Sequence, residues 1–567
     1  MTRMRMVIGL PLWIFFLMCP WSVALSLGRF TGTARGSQSA LLATSREDTV
    51  THRRCVIVGG GPVGLAAALT LSNPPHSFDV TVLEKTTDEE LVSLYDPGKA
   101  YLYNVNPRGL QWVTQFPIVL SKVLDRGYSP LQSSFGRILQ VPADPEVPIP
   151  PMNNVAIAGT TIGNATFDSQ ARSVWIPRHL MVELMMESCQ EQEKERTDDA
   201  VGSISIVLGH EFADLSSPAE DGSLVVTCRN GATYPADLVV GADGINSAVR
   251  EHLKNSAAWR AKALQSFRVR QFVSPATGLR LKSLQLPGDL AIPNTTASDL
   301  VEAEPTALVV MRSVKTGTRR VSLGMLPVKD KQFVRPANVI ARPDHEVWSA
   351  TTGDAVKAWM QEAFPRLPFD EWVNATEWER FAQAKGLQYP KPQYSPGSAV
   401  AVTDTKGVVL VGDACHAFPP DIGQGINAGL QDVQALDRAL KGQNIRTGQA
   451  LPDKQAPTLG AALLRYQANR GPEHRALIRL SRFGAPYQYN QSWLRDRIGK
   501  KLWFANFLVR TILNKLTLGL VPPHAMVLLS NAKAYSYRQV MRRCDSFNLF
   551  VRALGLLWLA RWAVLRW

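Results

Sequence analysis

Short apolar runs ending in glycine punctuate the chain. The first is Cys55-Val56-Ile57-Val58, followed at once by Gly59-Gly60-Gly61-Pro62-Val63-Gly64 and by helically spaced apolar residues over 65–71. That order predicts strand, tight turn and helix. A second run, Asp79-Val80-Thr81-Val82-Leu83, ends at Glu84, 20 residues after Gly64. The logic returns at residues 236–241, which lead into Ala242-Asp243-Gly244 and a helix beginning near Ser247. It returns again at residues 407–412, which lead into Asp413, and Gly423-Gln424-Gly425 opens another helix. Residues 266–273, 307–312 and 319–325 instead alternate apolar and polar positions, which predicts an antiparallel sheet, with a helix over 354–364 beside it.

The glycines and the acid have separate chemical reasons. Gly59 permits the tight turn, Gly61 removes a side chain where a pyrophosphate must approach, and Gly64 lets the helix pack closely on the sheet. Glu84 can accept hydrogen bonds from ribose hydroxyls and disfavours a ribose 2′-phosphate, so the bound nucleotide is expected to be FAD or NAD rather than NADP. Only one such fingerprint occurs, which argues against two separate dinucleotide-binding domains. A glycine-rich turn that binds nothing is the plainer alternative, and the strand context with Glu84 weighs against it.

Composition narrows the class. The 567 residues suggest two or three folding units, and 45% hydrophobic with 19% charged residues describes a folded chain. A mean hydropathy of −0.07 excludes a multi-span transporter. Six scattered cysteines, Cys19, Cys55, Cys189, Cys228, Cys415 and Cys544, form neither a disulfide framework nor a zinc spacing, so no metal is expected.

The net charge of +14 is concentrated at one end: residues 461–567 hold 18 Lys and Arg against only Glu473, Asp496 and Asp545. Interleaved with Trp503, Phe504, Phe507, Trp558 and Trp562, this charge fits an anionic membrane surface better than nucleic acid. Arg552 and Arg561 interrupt the last apolar run, so a tilted, snorkelling membrane helix is favoured over a surface-lying or docking one. At the front, Arg3 and Arg5 precede an uncharged stretch over 7–27 that reads as a signal peptide or anchor, and the acid-poor residues 28–46 resemble a transit segment, compatible with ER or plastid routing.

Taken together, the three glycine-turn segments resemble the class A flavoprotein monooxygenases of the para-hydroxybenzoate hydroxylase fold, in which three such fingerprints occur in this order. Within that family the chain is most similar to the kynurenine 3-monooxygenases. The segment 98–109, the stretch Ser173-Val174-Trp175-Ile176-Pro177-Arg178, the helix over 354–365 and the basic, aromatic C-terminus carry this resemblance.

The resemblance implies an α/β fold: a GR2-type Rossmann-like FAD-binding domain with an antiparallel-sheet substrate domain and a helical membrane-associated C-terminal region. The expected segments are 1–51 signal and transit-like, 52–130, 171–260 and 391–445 FAD-binding, 131–170 a substrate-side insertion, 261–390 the substrate domain, and 446–567 the C-terminal region. It implies FAD as cofactor, NADPH or NADH as transient co-substrate, O2 and a small aromatic acid as substrates, and a C4a-hydroperoxide of the reduced flavin as the oxygen donor. Kynurenine is the expected substrate, and the mitochondrial outer membrane the compartment.

Implied cofactor contacts are Gly59, Gly61, Gly64, Glu84, Arg178, Asp243, Gly244, Asp413, Gly423, Gly425 and Asn427. Arg137 is the candidate for the substrate carboxylate, with Asn427, Gln431 and Tyr101 beside the reacting ring. A helix-start role for Arg178, a solvated loop for Arg137, a cap role for Asn427 and a core position for Tyr101 are the competing readings. His416 is read as structural. The chain departs from the family pattern at Lys99, usually arginine, at Phe167, nearest to a partnering tyrosine, and at Gln431, where an acid is usual. A related aromatic acid, or an isoprenoid or quinone precursor taken by an oxidoreductase or epoxidase of the same fold, is the alternative.

Overall fold

The computed structural model describes residues 52–87, 101–129, 138–151, 173–197, 200–216, 224–296, 298–451, 457–487, 489, 493–531 and 535–566. The N-terminal signal-like and transit-like segments, Cys19, Lys99, Arg137 and Phe167 lie outside the described residues.

Strand β1 (Arg54–Val58) is buried from Cys55 onward, as an interior parallel strand covered on both faces must be. It runs into α1 (Pro62–Ser72), where Pro62 occupies a first-turn position that needs no N–H partner, and the chain returns in β2 (Asp79–Leu83). Next come β3 (Leu102–Val105), β4 (Ile138–Pro142) and β5 (Val174–Pro177), then α2 (Arg178–Lys194), β6 (Ile204–Val207) and β7 (Leu238–Gly241). The middle of the chain forms β8 (Arg280–Leu286), β9 (Leu308–Arg312), β10 (Ser322–Met325), β11 (Arg335–Ala341) and β12 (Leu387–Gln388). It closes with β13 (Ala399–Ala401), β14 (Gly407–Leu410), α3 (Gly425–Leu440), α4 (Leu459–Phe483), α5 (Leu494–Leu516) and α6 (Tyr537–Arg566).

The first sheet has the order β13-β14-β7-β1-β2-β6, parallel except for the edge pair β13 and β14. Its register decides where a ligand can lie: Val58 pairs with Gly241 and Gly241 with Leu410, so three neighbouring strands end level with one another. Residues expected from the fingerprint to form these strands do so because each run is wholly buried.

The second sheet has the order β12-β8-β11-β10-β9-β4. It is antiparallel apart from β9 and β4, which run parallel, so the expected all-antiparallel sheet is mixed at one edge. β4 lies within the stretch 131–170 that was read as an insertion. Of residues 266–273 only Arg270 and Gln271 pair as strand, both of them exposed. Leu284, Val309, Leu323 and Val339 pack on Val356, Met360 and Phe364 of the helix Gly353–Ala363 and its end. Truncating one of these side chains to alanine costs roughly 2–5 kcal/mol.

The C-terminal elements up to residue 544 belong to the same compact unit as the sheets, residues 52–544. Arg108, 1% exposed, donates to the carbonyls of Leu529 at 2.7 Å and Tyr535 at 2.8 Å, which fastens this region to the first domain. The second unit comprises residues 1–51 and 545–567, of which only the distal part of α6 is described. Among the described residues no helix is long and apolar enough to cross a membrane, which corrects the expected spanning helix. α6 is long enough, with 30 residues, but Arg538, Arg542, Arg543, Asp545, Arg552 and Arg561 break its apolar run.

Candidate dinucleotide site

Three turns meet where β1, β7 and β14 end. Gly59 has φ +109, the left-handed region, and a side chain there would run into the carbonyl of Ala242 on the neighbouring turn. A side chain on Gly64 would collide with the Gly59 carbonyl oxygen, whereas nothing lies within 4 Å of the position a side chain on Gly61 would take. Gly64 therefore packs α1 against the turn, and Gly61 opens onto free space. The same free space surrounds Gly244, Gly423 and Gly425.

Glu84 stands at the end of β2, half-buried. Its Oε2 accepts the Gly60 N–H at 2.7 Å and its Oε1 accepts the Thr86 N–H and hydroxyl at 3.0 and 2.8 Å. The carboxylate thus braces the first turn and retains lone pairs for a further donor.

Asp243 caps the helix Ala248–Asn255 by accepting the Val249 N–H at 3.1 Å, and its Oδ1 is buried without a partner. Burial holds this carboxyl above its usual range, partly offset by hydrogen bonds from Ser247 and the backbone. Ser247 is the N-cap, where the helix start was expected. Asp413 follows Gly412 in a single 3-10 turn and is exposed at the site.

Arg250 joins the second and third turns, donating to the carbonyls of Ala414 at 2.7 Å and Ile245 at 2.9 Å. The sequence places Arg250 in the helix that begins near Ser247 but does not reveal this bridge. Its signal was an arginine at an otherwise buried helical position.

Arg178 opens α2 with its guanidinium beside the phenols of both Tyr101 and Tyr103, whose rings meet edge to face with centroids 5.5 Å apart. Burial pushes the Tyr103 phenol well above its usual range, so it remains a neutral group beside Arg178 and Asp413. Tyr101 also lines a cavity of about 300 Å3, together with Tyr128, Trp175 and Phe333, and with Arg126 and Lys329 as its cationic groups.

Asn427 differs from expectation. It is fully buried: Oδ1 accepts the Asn106 N–H at 2.9 Å, and Nδ2 donates to the carbonyls of Asn104 at 2.8 Å and Gly423 at 3.1 Å. With both ends of the amide committed to backbone, it positions β3 against the Gly423 turn and has no free group for a reacting ring. Gly109 must lack a side chain because one would press on Asn427 Oδ1. One helical turn on, Gln431 is half-buried and its Oε1 has no partner, so it is the amide still available to a ligand.

His416, Asp432 and His474 converge from three segments distant in sequence, with potential ligand atoms within 4.8 Å of one another. Spacing along the chain gave no sign of this group. None of the five described cysteines forms a disulfide, and all are buried.

The level ends of three parallel strands, glycine turns open to space and a braced acid after the second strand define a nucleotide-binding α/β protein of the flavoprotein type. The chain carries an FAD-binding domain and is similar in sequence to FAD-dependent monooxygenases. Residues 199–454 match the FAD binding domain family, and residues 57–88 match the NAD(P)-binding Rossmann-like domain.

Among curated proteins, a FAD-dependent monooxygenase of Aspergillus calidoustus is 26% identical over 49% of this chain and 54% of its own length. The chain thus spans about half of that relative. Kynurenine 3-monooxygenase of Salinispora arenicola is 25% identical over 89% of this chain and 93% of that protein. A mitochondrial ubiquinone biosynthesis monooxygenase of Saccharomyces cerevisiae is 24% identical over 70% and 81%. Among solved structures, a 2-methyl-3-hydroxypyridine-5-carboxylic acid oxygenase mutant shares the fold, with TM-score 0.51, 17% identity and coverage of 87% of this chain and 98% of that one.

Proposed function

We propose that this chain is an FAD-dependent, NAD(P)H-consuming monooxygenase that hydroxylates an aromatic acid, with kynurenine to 3-hydroxykynurenine as the leading reaction. The observation that supports it best is the register Val58–Gly241–Leu410, which sets the Gly59–Gly61, Asp243–Gly244 and Gly412–Asp413 turns side by side. The residues fit the cofactor: Gly61, Gly244, Gly423 and Gly425 leave room for it, Glu84 would hold the adenosine ribose, and Asp413 the ribityl chain. FAD when bound would supply the activation of O2 and the transfer of one oxygen atom.

The chain's own residues bind, orient and exclude water. Arg178 places a fixed positive charge beside Asp413, and Tyr101 and Tyr103 hold that guanidinium in place. The aromatic cavity lined by Tyr101, Trp175 and Phe333 would take the substrate ring, and its carboxylate would compete with Glu187 for Arg126 and with Asp125 for Lys329. Arg137 remains a second carboxylate candidate. The division into FAD-binding parts 52–130, 171–260 and 391–445 around a substrate domain 261–390 belongs to the same reading.

The test is the purified full-length chain. Bound FAD, with NADPH consumption stimulated by an aromatic acid and a matching hydroxylated product, supports the proposal. A chain that takes up no FAD overturns it, and one that turns over NADPH with kynurenine to hydrogen peroxide alone overturns the kynurenine assignment. A second reading, oxidation of a quinone precursor, is favoured by the ubiquinone-biosynthesis relative and by the largely apolar cavity. Product formed from a prenylated phenol but from no aromatic acid would select it.

Association with an anionic lipid surface is part of the proposal. α5 turns Leu494, Ile498, Phe504, Leu508, Ile512 and Leu516 outward, interleaved with exposed Arg497, Lys500, Lys501 and Lys515. Apolar contact flanked by cations suits an interfacial helix. Co-sedimentation with phosphatidylserine vesicles, released by salt, is expected; equal recovery without vesicles removes the lipid surface from the reading. A mitochondrial outer membrane remains the proposed compartment, with the ER or a plastid as the alternative.

A further inference from the structure

Asp432 lies on α3 with no exposed surface, and its carboxylate is shared among four partners. Oδ2 accepts the Gly412 N–H at 2.9 Å and faces His416 Nε2 at 2.7 Å. Oδ1 accepts Arg470 Nε at 2.8 Å and Nη2 at 2.6 Å, and faces His474 Nε2 at 2.9 Å. Arg470 and His474 both come from α4, one helical turn apart.

Two familiar chemistries fit this cluster poorly. A metal ion between His416, Asp432 and His474 would sit against the Arg470 guanidinium on the same carboxylate oxygen, cation against cation in a dry interior. Cys415 Sγ lies 3.2 Å from His474 Nδ1, which reproduces the order of a Cys-His-Asp triad. Cys415 is only 1% exposed, however, and burial raises its thiol well above the usual range, so it is neither ionised nor reachable.

What remains is geometry. Gly412 has φ +61, the left-handed turn that swings the chain out of β14 and presents Asp413 at the site. A buried N–H in such a turn needs an acceptor. The acceptor comes from another helix, α3, whose carboxylate is in turn held by Arg470 of α4.

We propose that Asp432 is the positioning residue of the Gly412–Asp413 turn, and that through Arg470 it makes the orientation of Asp413 toward the flavin nucleotide depend on α4. This rests on the FAD reading above. The carboxylate touches no reacting atom; it acts by fixing one backbone N–H.

The test uses the full-length chain, with FAD affinity read by quenching of flavin fluorescence and turn mobility by hydrogen exchange across residues 411–415, with and without FAD. Asp432→Asn is expected to weaken FAD by about tenfold or more and to speed that exchange. Val433→Ala, a core truncation next along the same helix, is expected to lower stability without either effect. Arg470→Lys keeps the charge but loses the fork, and is expected to weaken FAD by about threefold.

If Asp432→Asn changes FAD binding by less than about twofold, or no more than Val433→Ala does, the proposal fails. Should Asp432→Asn not fold, the comparison of Arg470→Lys with Val433→Ala decides by the same criteria. A wild-type chain that binds no FAD yet protects residues 411–415 through Asp432 overturns the cofactor reading alone, and exchange in the FAD-free chain still judges the clamp.

Discussion

The Tyr537 hydroxyl meets Gln424 Oε1 at 3.1 Å, both side chains buried, and so the start of the C-terminal helix reaches the residue between Gly423 and Gly425. Tyr537→Phe leaves that amide oxygen without its donor inside the protein. The expected loss is roughly 1–2 kcal/mol of stability, measured by urea unfolding, with FAD affinity falling in parallel.

Gly61 and Gly64 separate binding from folding. Gly61→Val adds a side chain into open space at a backbone conformation any residue adopts, so FAD-free stability is expected to change by less than about 0.5 kcal/mol while FAD binding is lost. Gly64→Ala forces α1 away from the Gly59 carbonyl, and is expected to cost roughly 1–3 kcal/mol before any ligand is added. Thermal melts of both FAD-free variants, followed by FAD titration, check the contrast.

Asp421, 4% exposed beside Gly423, has its carboxyl pushed up to about 8 by burial. The native chain keeps this proton up to that pH, whereas the unfolded chain loses it near the ordinary carboxyl value of about 4. Between these values the unfolded state binds fewer protons, so stability attributable to Asp421 falls as pH rises. Asp421→Asn is expected to stabilise the chain by roughly 1–3 kcal/mol at pH about 8 and by much less at pH about 4. Equal shifts at the two pH values would contradict it.

Tyr101 links the cavity to Arg178. Tyr101→Phe keeps the ring and removes the hydroxyl beside Arg178. FAD content is expected to be unchanged, while the KM for the aromatic substrate rises by up to about tenfold. Steady-state kinetics alongside the flavin-to-protein absorbance ratio reads both.

Much of the first sheet was legible because interior parallel strands are continuous apolar runs, each closed by glycine. The second sheet was read only in part. β8 hides its alternation behind Lys282, which is buried and donates to the carbonyls of Phe381 and Ala382, and β11 contains the buried Arg335 and Asn338. Such polar residues look like solvent-facing positions until their partners are known. The site glycines and Glu84 stood out by spacing, whereas Asp432 needed Gly412, His416, Arg470 and His474 to be brought together by three elements. The backbone partners of Asn427 were not legible, because an amide after a glycine turn looks free until Asn104 and Asn106 are seen to occupy it.

The Gly60 N–H is held by a carboxylate of the chain itself, that of Glu84. The first loop therefore has little wandering left to surrender when a ligand arrives, and capture is expected to be limited by diffusion and orientation rather than by slow closure of the chain around its guest.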